Sequence, residues 1–278
     1  MTMLILGARG MLGRALAAEF ADQQPMLWDR EELDITNQES VREKVGGGRW
    51  DVVINAAAYT RVDDAETRRE EAMSVNADAV RWLAEAVKER GALLVHYSTD
   101  YIFPGDEPEG YTEDDKPGPA VNVYGETKLA GERALQEVAP RFYLLRTAWL
   151  YGSGGQNFVD AMLMLARERD TLSVVNDQHG SPTYTRDVAR ATRDLLTMRY
   201  SPGVYHIVNA GTTTWYGLAR EIFRLAELPV QLTPVASGQF PRPAKRPAWS
   251  VLKNTRGPTL RPWPEAVRDY LTLTGKAP

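Results

Sequence analysis

The stretch that decides the fold lies near the start of the chain and reads Thr2-Met3-Leu4-Ile5-Leu6-Gly7-Ala8-Arg9-Gly10-Met11-Leu12-Gly13. An apolar run of strand length leads directly into glycines with the spacing G-x-x-G-x-x-G. Glycines there permit a tight turn, let backbone N–H groups approach a pyrophosphate and bring the next helix close to the sheet. That helix directs its positive N-terminus at the phosphates. The motif, between a strand and a helix, predicts dinucleotide binding.

Short apolar runs alternate with amphipathic stretches through the first half of the chain. The predicted strands cover residues 2–6, 26–28, 51–55, 93–98 and 142–146, and the predicted helices cover 11–20, 38–45, 72–89 and 129–138. This alternation is typical of βαβ units and predicts an α/β fold with a Rossmann-type, doubly wound parallel sheet. We expect residues 1–150 to form an NAD(P)-binding Rossmann domain, with segments returning from 176–210. Residues 151–278 should form mainly a smaller C-terminal substrate-binding portion.

Composition excludes several classes of protein. With 278 residues and 43% hydrophobic residues, the chain can bury a sizeable core. Its net charge of −4 disfavours general nucleic-acid binding. The absence of cysteine excludes a disulfide scaffold and a thiol nucleophile, and the three histidines lack ligand spacing, so we expect no histidine metal site. No targeting signal and no apolar stretch of membrane-spanning length is found, so we expect a cytoplasmic protein without membrane association.

Acidic and basic residues compete at the predicted adenosine end of the cofactor. Asp29 follows the second predicted strand and suits the ribose hydroxyls, whereas Arg30 and Arg9 suit a 2′-phosphate. NADH, NADPH or both therefore remain open, and we expect both to be used. Asp34 and Ile35 should lie along the adenine, and the alanines after the third strand should leave backbone bare for the cofactor. The expected cofactor contacts are Gly7, Arg9, Gly10, Met11, Leu12, Gly13, Asp29, Arg30, Asp34, Ile35, Ala56, Ala57 and Ala58.

The candidate catalytic residues are Thr99, Tyr124 and Lys128. Tyr124 and Lys128 form the motif Y-x-x-x-K at the start of a predicted helix, which puts both side chains on one helical face. The lysine ammonium should favour the phenolate and so lower the pKa of Tyr124, and both residues should also contact the cofactor. Thr99 ends the fourth predicted strand, at the edge where open α/β sheets bind ligands. Its hydroxyl can donate to a carbonyl oxygen that gains negative charge.

The glycine turn, Thr99 and the Tyr124/Lys128 pair, in that order, resemble the extended short-chain dehydrogenase/reductase superfamily. Within it, the chain resembles the dTDP-4-dehydrorhamnose reductase family. The resemblance covers nearly the whole chain and includes Ser98-Thr99-Asp100-Tyr101-Ile102-Phe103, Asn122-Val123-Tyr124-Gly125 and Arg246-Pro247-Ala248-Trp249, together with blocks at 55–60, 146–152, 177–183, 203–206 and 214–216. It implies NAD(P)H-dependent reduction of the 4-keto group of dTDP-4-dehydrorhamnose to dTDP-L-rhamnose, for rhamnose-containing cell-surface polysaccharide.

The resemblance also implies substrate contacts. It places Val62, Tyr101 and Trp149 at the sugar nucleotide, beside Thr99 and Tyr124. Related dehydratases carry a glutamate at the position of Tyr101, so carbonyl reduction is favoured over dehydration. Some relatives hold Mg²⁺ at a dimer contact, which leaves Mg²⁺ and a monomer or homodimer open.

Two other functions stay open beside this reductase. One is another nucleotide-sugar reductase or an epimerase of the same fold, since epimerases share the Tyr/Lys pair. The other is a non-catalytic, dinucleotide-binding regulatory subunit. The intact set of Thr99, Tyr124 and Lys128 argues against the latter, because a pure binding module has no use for an activated phenol.

The segment between Glu227 and Glu265 has an unusual composition. It contains no acidic residue, six basic residues and eight of the 17 prolines. It is either a solvated connector or a loop layer that receives an anionic substrate, since guanidinium and ammonium groups pair with phosphate. On the second interpretation, Lys245 and Arg246 should lie near the substrate diphosphate.

Overall fold

Six parallel strands form the central sheet of the computed structural model, which describes residues 1–198 and 200–276. Residues 199, 277 and 278 of the predicted C-terminal portion lie outside the described residues. The strands are β1 (Met3–Leu6), β2 (Met26–Trp28), β3 (Val52–Asn55), β4 (Leu93–Thr99), β5 (Phe142–Thr147), β6 (Leu150–Tyr151), β7 (Thr171–Val175), β8 (His179–Gly180), β9 (Thr183–Tyr184), β10 (Gly203–His206), β11 (Thr213–Thr214) and β12 (Gln231–Val235). The helices are α1 (Met11–Glu19), α2 (Gln38–Val41), α3 (Val62–Ala65), α4 (Arg69–Met73), α5 (Ala79–Lys88), α6 (Val123–Val138), α7 (Phe158–Leu165), α8 (Thr185–Thr197), α9 (Trp215–Leu225) and α10 (Trp263–Leu273).

The order of the central sheet is β10-β5-β4-β3-β1-β2. From β1 the sheet grows to one side with β2 and then to the other side with β3, β4 and β5, so the strand order has a switch point between β1 and β3. Open α/β sheets bind ligands in the crevice at such a switch point, outside the carboxyl ends of the strands. The predicted α/β, Rossmann-type parallel sheet is confirmed.

Helices cover both faces of this sheet because successive strand residues point to opposite sides. One face packs against α1 and α8, in a cluster that contains Ile5, Ile54, Val95, Leu16 and Leu195. The opposite face packs against α2, α5 and α6, in a cluster that contains Leu4, Val53, Leu94, Val41, Leu83 and Leu135. The sheet is therefore doubly wound, as the alternating pattern predicts.

Predicted strand boundaries agree with the structure to within one residue, whereas the helices show larger differences. The amphipathic pattern at 129–138 begins too late, whereas the helix start predicted at Tyr124 and Lys128 agrees with the structure: Asn122 Oδ1 accepts a hydrogen bond from Gly125 N at 2.8 Å and caps a helix that begins at Val123. The helix predicted over 72–89 is divided, since a π-helical turn at Ser74–Asp78 separates α4 from α5. Another π-helical turn, Arg42–Gly46, continues α2.

The residues after β5 build a third cluster and also return to the sheet. The cluster combines α7, α9 and α10 with short strands, and Val159, Leu163, Leu218, Ile222 and Tyr270 are buried in it. In contrast, α8 packs against α1, and β10 joins the sheet beside β5. The acid-free segment contains β12 and one short turn at Ser237–Gln239 and is otherwise irregular. The predicted division near residue 150 stays a prediction. Among the residues that the structure describes, no helix is both long and apolar enough to cross a membrane.

Gly13 is the first test of this architecture. A Cβ at Gly13 would lie 2.0 Å from the backbone oxygen of Gly7, a clash with main chain that cannot rotate away. We expect Gly13→Ala to lower the free energy of unfolding by about 1–3 kcal/mol, the usual cost of overpacking. The measurement is denaturant unfolding.

Gly46→Ala is the matched control, since the atom nearest to its Cβ would be Ala86 Cβ at 3.7 Å, an ordinary van der Waals contact. Equal stability of the two variants would contradict the close contact between α1 and the glycine turn.

Candidate active site

The glycine turn forms a cradle of bare backbone at the carboxyl end of β1. Gly7 has φ +71°, and a Cβ there would lie 2.7 Å from Ala57 N. The turn therefore packs directly against the alanine run that follows β3. Gly10 caps α1 without a side chain, so the first N–H groups of α1 face the crevice unobstructed. This is the arrangement that a pyrophosphate requires.

Two adjoining cavities run along this crevice. The larger has a volume of about 890 Å³ and is lined by Gly7, Gly10, Met11, Leu12, Asp29, Ala56, Ala57, Ala58, Thr99, Tyr124, Lys128 and Trp149, among others. The other, of about 520 Å³, adds Arg30, Asp34 and Ile35. Most of the predicted cofactor residues therefore lie together. Gly13 lies behind the turn, and Arg9 is outside the lining of both cavities.

The arginine side chains that the sequence analysis assigned to a 2′-phosphate form ion pairs with carboxylates. The Arg9 guanidinium forms ion pairs with Glu31 at 2.7 Å and Glu32 at 3.0 Å. Asp29 accepts hydrogen bonds from the backbone N–H groups of Arg9 and Arg30, each at 2.9 Å. Asp29 therefore fixes the glycine turn to the end of β2 and also presents its carboxyl group at the predicted ribose position.

Thr99, Tyr124 and Lys128 meet at the centre of the larger cavity. Thr99 is the last residue of β4, and its Oγ1 donates to Asp100 Oδ1 at 2.8 Å. Burial raises the pKa of Tyr124 to about 12, against a smaller lowering by the Thr99 hydroxyl. Lys128 is not among the groups that shift this pKa in the structure, so the expected lowering by its ammonium is not seen, and desolvation of the phenolate raises the pKa instead. Tyr124 holds its proton at neutral pH.

Lys128 is buried beneath the cavity floor, with 2% of its surface exposed. Its Nζ donates to the backbone oxygen of Tyr97 at 2.6 Å and lies 3.4 Å from His96 Nε2. Burial lowers the pKa of Lys128 to about 8, although Glu132, one turn later on α6, opposes this. Lys128 is therefore mainly an ammonium at pH 7 but loses its proton about one pH unit higher.

A buried ion pair lies directly behind Lys128. Arg146 Nε and Nη2 donate to the Glu132 carboxylate at 3.1 and 2.9 Å, and both side chains are almost completely inaccessible. The pair joins α6 to the end of β5. Sequence reasoning placed Arg146 in a family-like block but gave neither residue a role, since their pairing depends on the tertiary structure.

Asp100 is a second residue that the sequence analysis passed over. It is buried beside Thr99, and its Oδ2 has no hydrogen-bond partner among the described residues. Burial raises the pKa of Asp100 to about 6, against a smaller lowering by the hydroxyls of Ser250 and Thr99. Its position after a strand-end threonine was the one available signal.

The predicted substrate residues are only partly brought together. Tyr101 and Arg246 line a further cavity of about 350 Å³, together with Trp215 and Arg242. Trp149 lines the large cavity and stacks on Trp215 with ring centroids 3.5 Å apart, so the two cavities meet at this pair.

Val62 and Lys245 lie outside the lining of these cavities. Val62 begins α3, and Lys245 is exposed, with its backbone oxygen accepting from Asn122 Nδ2 at 2.8 Å. The sequence predicts Lys245, like Arg246, near the substrate diphosphate; its side chain is exposed in the structure, and its place at the substrate stays a prediction. Within residues 1–198 and 200–276, no group of three or more His, Asp or Glu side chains is placed to hold a metal ion.

Comparisons with known proteins identify the family of the chain. Residues 1–274 match the family described as RmlD substrate binding domain. The dTDP-4-dehydrorhamnose reductase of Streptomyces griseus is 44% identical over 99% of this chain and 94% of its own length. A probable dTDP-4,6-dihydroxy-2-methyloxan-3-one 4-ketoreductase of Streptomyces antibioticus is 42% identical over 97% of this chain and 94% of its own length. The crystal structure of dTDP-4-dehydrorhamnose reductase from Bacillus anthracis in complex with NADP has a TM-score of 0.94 and 38% identity, and the match covers 98% of this chain and 100% of that chain. The chain belongs to the dTDP-4-dehydrorhamnose reductase family.

Proposed function

We propose that the chain reduces the 4-keto group of dTDP-4-dehydrorhamnose to give dTDP-L-rhamnose, with NADPH or NADH as the hydride donor. One observation carries the proposal. Thr99, Tyr124 and Lys128 lie in the same cavity as the glycine turn, so a proton donor and a dinucleotide site share one crevice. The complex of the Bacillus anthracis relative with NADP supports the choice of cofactor.

The backbone cradle fits a dinucleotide, because Gly7 and Gly10 line the large cavity and no side chain at Gly10 covers the N-terminus of α1. When bound, the nicotinamide supplies the hydride that goes to C4 of the sugar. The N-terminus of α1 would hold the pyrophosphate, and Asp29 would accept from the adenosine ribose. Lys128 would hold the nicotinamide ribose from below.

Tyr124 is the proposed proton donor. Its buried phenol is neutral at pH 7, so it holds the proton that the C4 oxygen takes up as hydride arrives. The Thr99 hydroxyl, which donates to Asp100 in this structure, can turn to the same oxygen as it gains negative charge. The Lys128 ammonium then stabilises the phenolate that remains.

Arg246 is the proposed contact to the substrate diphosphate. It lies in the cavity that meets the catalytic one at Trp149 and Trp215, and its Nη1 is 2.9 Å from Asp63 Oδ1. Arg242 approaches the same carboxylate at 3.5 Å. The sugar would therefore lie beside Tyr124 and Tyr101, whose rings are in edge-to-face contact with centroids 5.9 Å apart, with the diphosphate towards these two guanidinium groups.

Reduction of a different nucleotide-linked keto sugar is the second candidate. The relative from Streptomyces antibioticus, a probable ketoreductase of another deoxysugar, favours it. An assay separates the two: NADPH or NADH oxidation measured with a panel of nucleotide-linked 4-keto sugars, with the product identified by NMR. The proposal requires dTDP-4-dehydrorhamnose to give the highest kcat/KM, and a higher value for another sugar would replace it.

Removal of the Tyr124 hydroxyl tests the proton donor. Tyr124→Phe keeps the ring but has no proton to give, so we expect kcat to fall by about 100-fold or more, the scale of general acid catalysis. Cofactor affinity, measured by fluorescence titration, should stay unchanged. Tyr216→Phe, on α9 and outside the described cavities, is the control. Near-normal turnover of Tyr124→Phe would refute the assignment.

Charge at the adenosine end should set the choice of cofactor. We expect both NADH and NADPH to be used, since Asp29 repels a 2′-phosphate while Arg9 and Arg30 attract it. Asp29→Asn keeps one acceptor for the glycine turn but removes the charge, so the kcat/KM for NADPH relative to that for NADH should rise about ten-fold, corresponding to about 1.4 kcal/mol.

Asp78→Asn, an exposed residue on the π-helical turn before α5, controls for the change in net charge. An unchanged ratio in Asp29→Asn would place Asp29 away from the ribose.

Arg246 and Lys245 are adjacent, yet only Arg246 lines a cavity. A charge-assisted hydrogen bond contributes roughly 1.5–3 kcal/mol, so Arg246→Ala should raise the substrate KM about ten-fold or more with little change in kcat. Lys245→Ala should keep the wild-type KM. Steady-state kinetics with cofactor saturating decide the point, and an effect confined to Lys245→Ala would reverse the assignment.

A further inference from the structure

His96 lies in the middle of the central sheet and contacts the proposed catalytic lysine. It is a residue of β4 with 1% of its surface exposed. Its Nε2 is 3.4 Å from Lys128 Nζ, and its Nδ1 is 3.2 Å from Asn55 Nδ2. Asn55 and His96 are paired directly in the register of β3 and β4, so the sheet itself brings the two side chains together.

The orientation of the Asn55 amide is fixed by a third group. Ala57 N–H donates to Asn55 Oδ1 at 3.1 Å, which leaves the Nδ2 hydrogens facing His96. Nδ1 of His96 must then accept, so a neutral ring carries its proton on Nε2. Burial, together with the nearby Lys128, holds the pKa of His96 well below its ordinary value, so the ring is neutral. The Nε2–H therefore points at Lys128.

This geometry constrains the hydrogens of Lys128. An ammonium and an Nε2–H are both donors, so they cannot bond to each other, whereas a neutral amine can accept from Nε2–H and still donate to the Tyr97 oxygen. The imidazole thus disfavours the ammonium and directs its free hydrogens away from the sheet, towards the cavity that Tyr124 lines.

The other charged or titratable side chains near Lys128 come from α6, β5 and the end of β4. Glu132 favours the ammonium, but Arg146 from β5 neutralises it at 2.9 Å. Asp100, which follows β4, and Tyr124, one turn earlier on α6, line the same cavity. From β3 the facing side chain is the uncharged Asn55.

We propose that His96, oriented by Asn55, is a positioning residue for Lys128: its Nε2–H sets where the lysine hydrogens point and makes the ammonium easier to deprotonate. The inference rests on the role proposed for Lys128 in the reductase reaction. His96 itself exchanges no proton with substrate.

Two variants of matched polarity test the inference. In His96→Gln the amide nitrogen can reach the position of Nε2, whereas in His96→Asn the shorter amide can reach only the position of Nδ1 and keeps the contact to Asn55. We expect His96→Gln to retain the wild-type pH profile of kcat. His96→Asn should lower kcat about ten-fold at neutral pH, because the lysine hydrogens lose their orientation. It should also move the alkaline limb of the profile, where Lys128 loses its proton, to a pH about one unit higher, because the N–H that opposes the ammonium is gone.

Loss of activity in both variants with an unchanged profile would mean a merely structural role and would overturn the inference. Lys128→Met, measured in parallel, distinguishes failure of the role proposed for Lys128 from failure of the role proposed for His96. If Lys128→Met keeps its activity, the proposed role of Lys128 fails. If Lys128→Met is inactive while His96→Asn matches wild type in kcat and profile, only the role of His96 fails.

The tautomer can also be read in the unmodified protein, which removes any dependence on the folding of the variants. The chain has three histidines, so ¹⁵N-histidine labelling with NMR resolves each ring. We expect protonated Nε2 and unprotonated Nδ1 for His96, and a proton on Nδ1 would overturn the inference.

Discussion

The burial of the Lys128 side chain is the constraint on which the rest of the site depends. A charge without solvent is costly unless it is paired and hydrogen-bonded. The Tyr97 oxygen supplies one partner at 2.6 Å, and Glu132 supplies the opposite charge. Glu132 is in turn neutralised by Arg146, whose Nη1 lies 3.4 Å from His206 Nε2. The pairing of buried charges therefore extends from α6 across β5 to β10. This explains why these elements carry polar residues where a sheet core is otherwise apolar.

The parallel sheet brings together groups that are far apart in sequence. The glycine turn follows β1, Thr99 ends β4 and Trp149 comes shortly after β5, so three carboxyl ends supply one crevice. Tyr124 and Lys128 come from α6, which begins where Asn122 caps it. In the proposed reaction, a hydride donor, a proton donor and a carbonyl would then meet without any long loop having to order itself, which is the entropic advantage of placing a site on a rigid scaffold.

The fold and the main site were predictable because they depend on local patterns. Apolar runs, glycine spacing and the i, i+4 pair of Tyr124 and Lys128 are all visible within a few residues. The missed features depend on contacts between distant residues or on a balance of energies. The start of α6 turns on one Asn122 hydrogen bond, and the contact of His96 with Lys128 requires the register of β3 and β4. The pKa of Tyr124 depends on how completely the fold buries it, which no spacing reveals.

The basic, acid-free segment shows why charge in a sequence does not by itself locate a ligand. Arg242 and Arg246 both form ion pairs with Asp63, a residue much earlier in the sequence. The Asp63 carboxylate also accepts a hydrogen bond from Ala244 N. Burial opposes the charge of Asp63, but these bonds lower its pKa, so it remains ionised. Asp63 thereby holds the segment across the crevice and keeps two guanidinium groups near the smaller cavity. Under the binding mode proposed above, a diphosphate would meet arginines that are already oriented, so that the entropic cost of ordering them would be met in folding rather than in binding. Lys245, with no such carboxylate at hand, projects into solvent although it is adjacent to Arg246 in sequence.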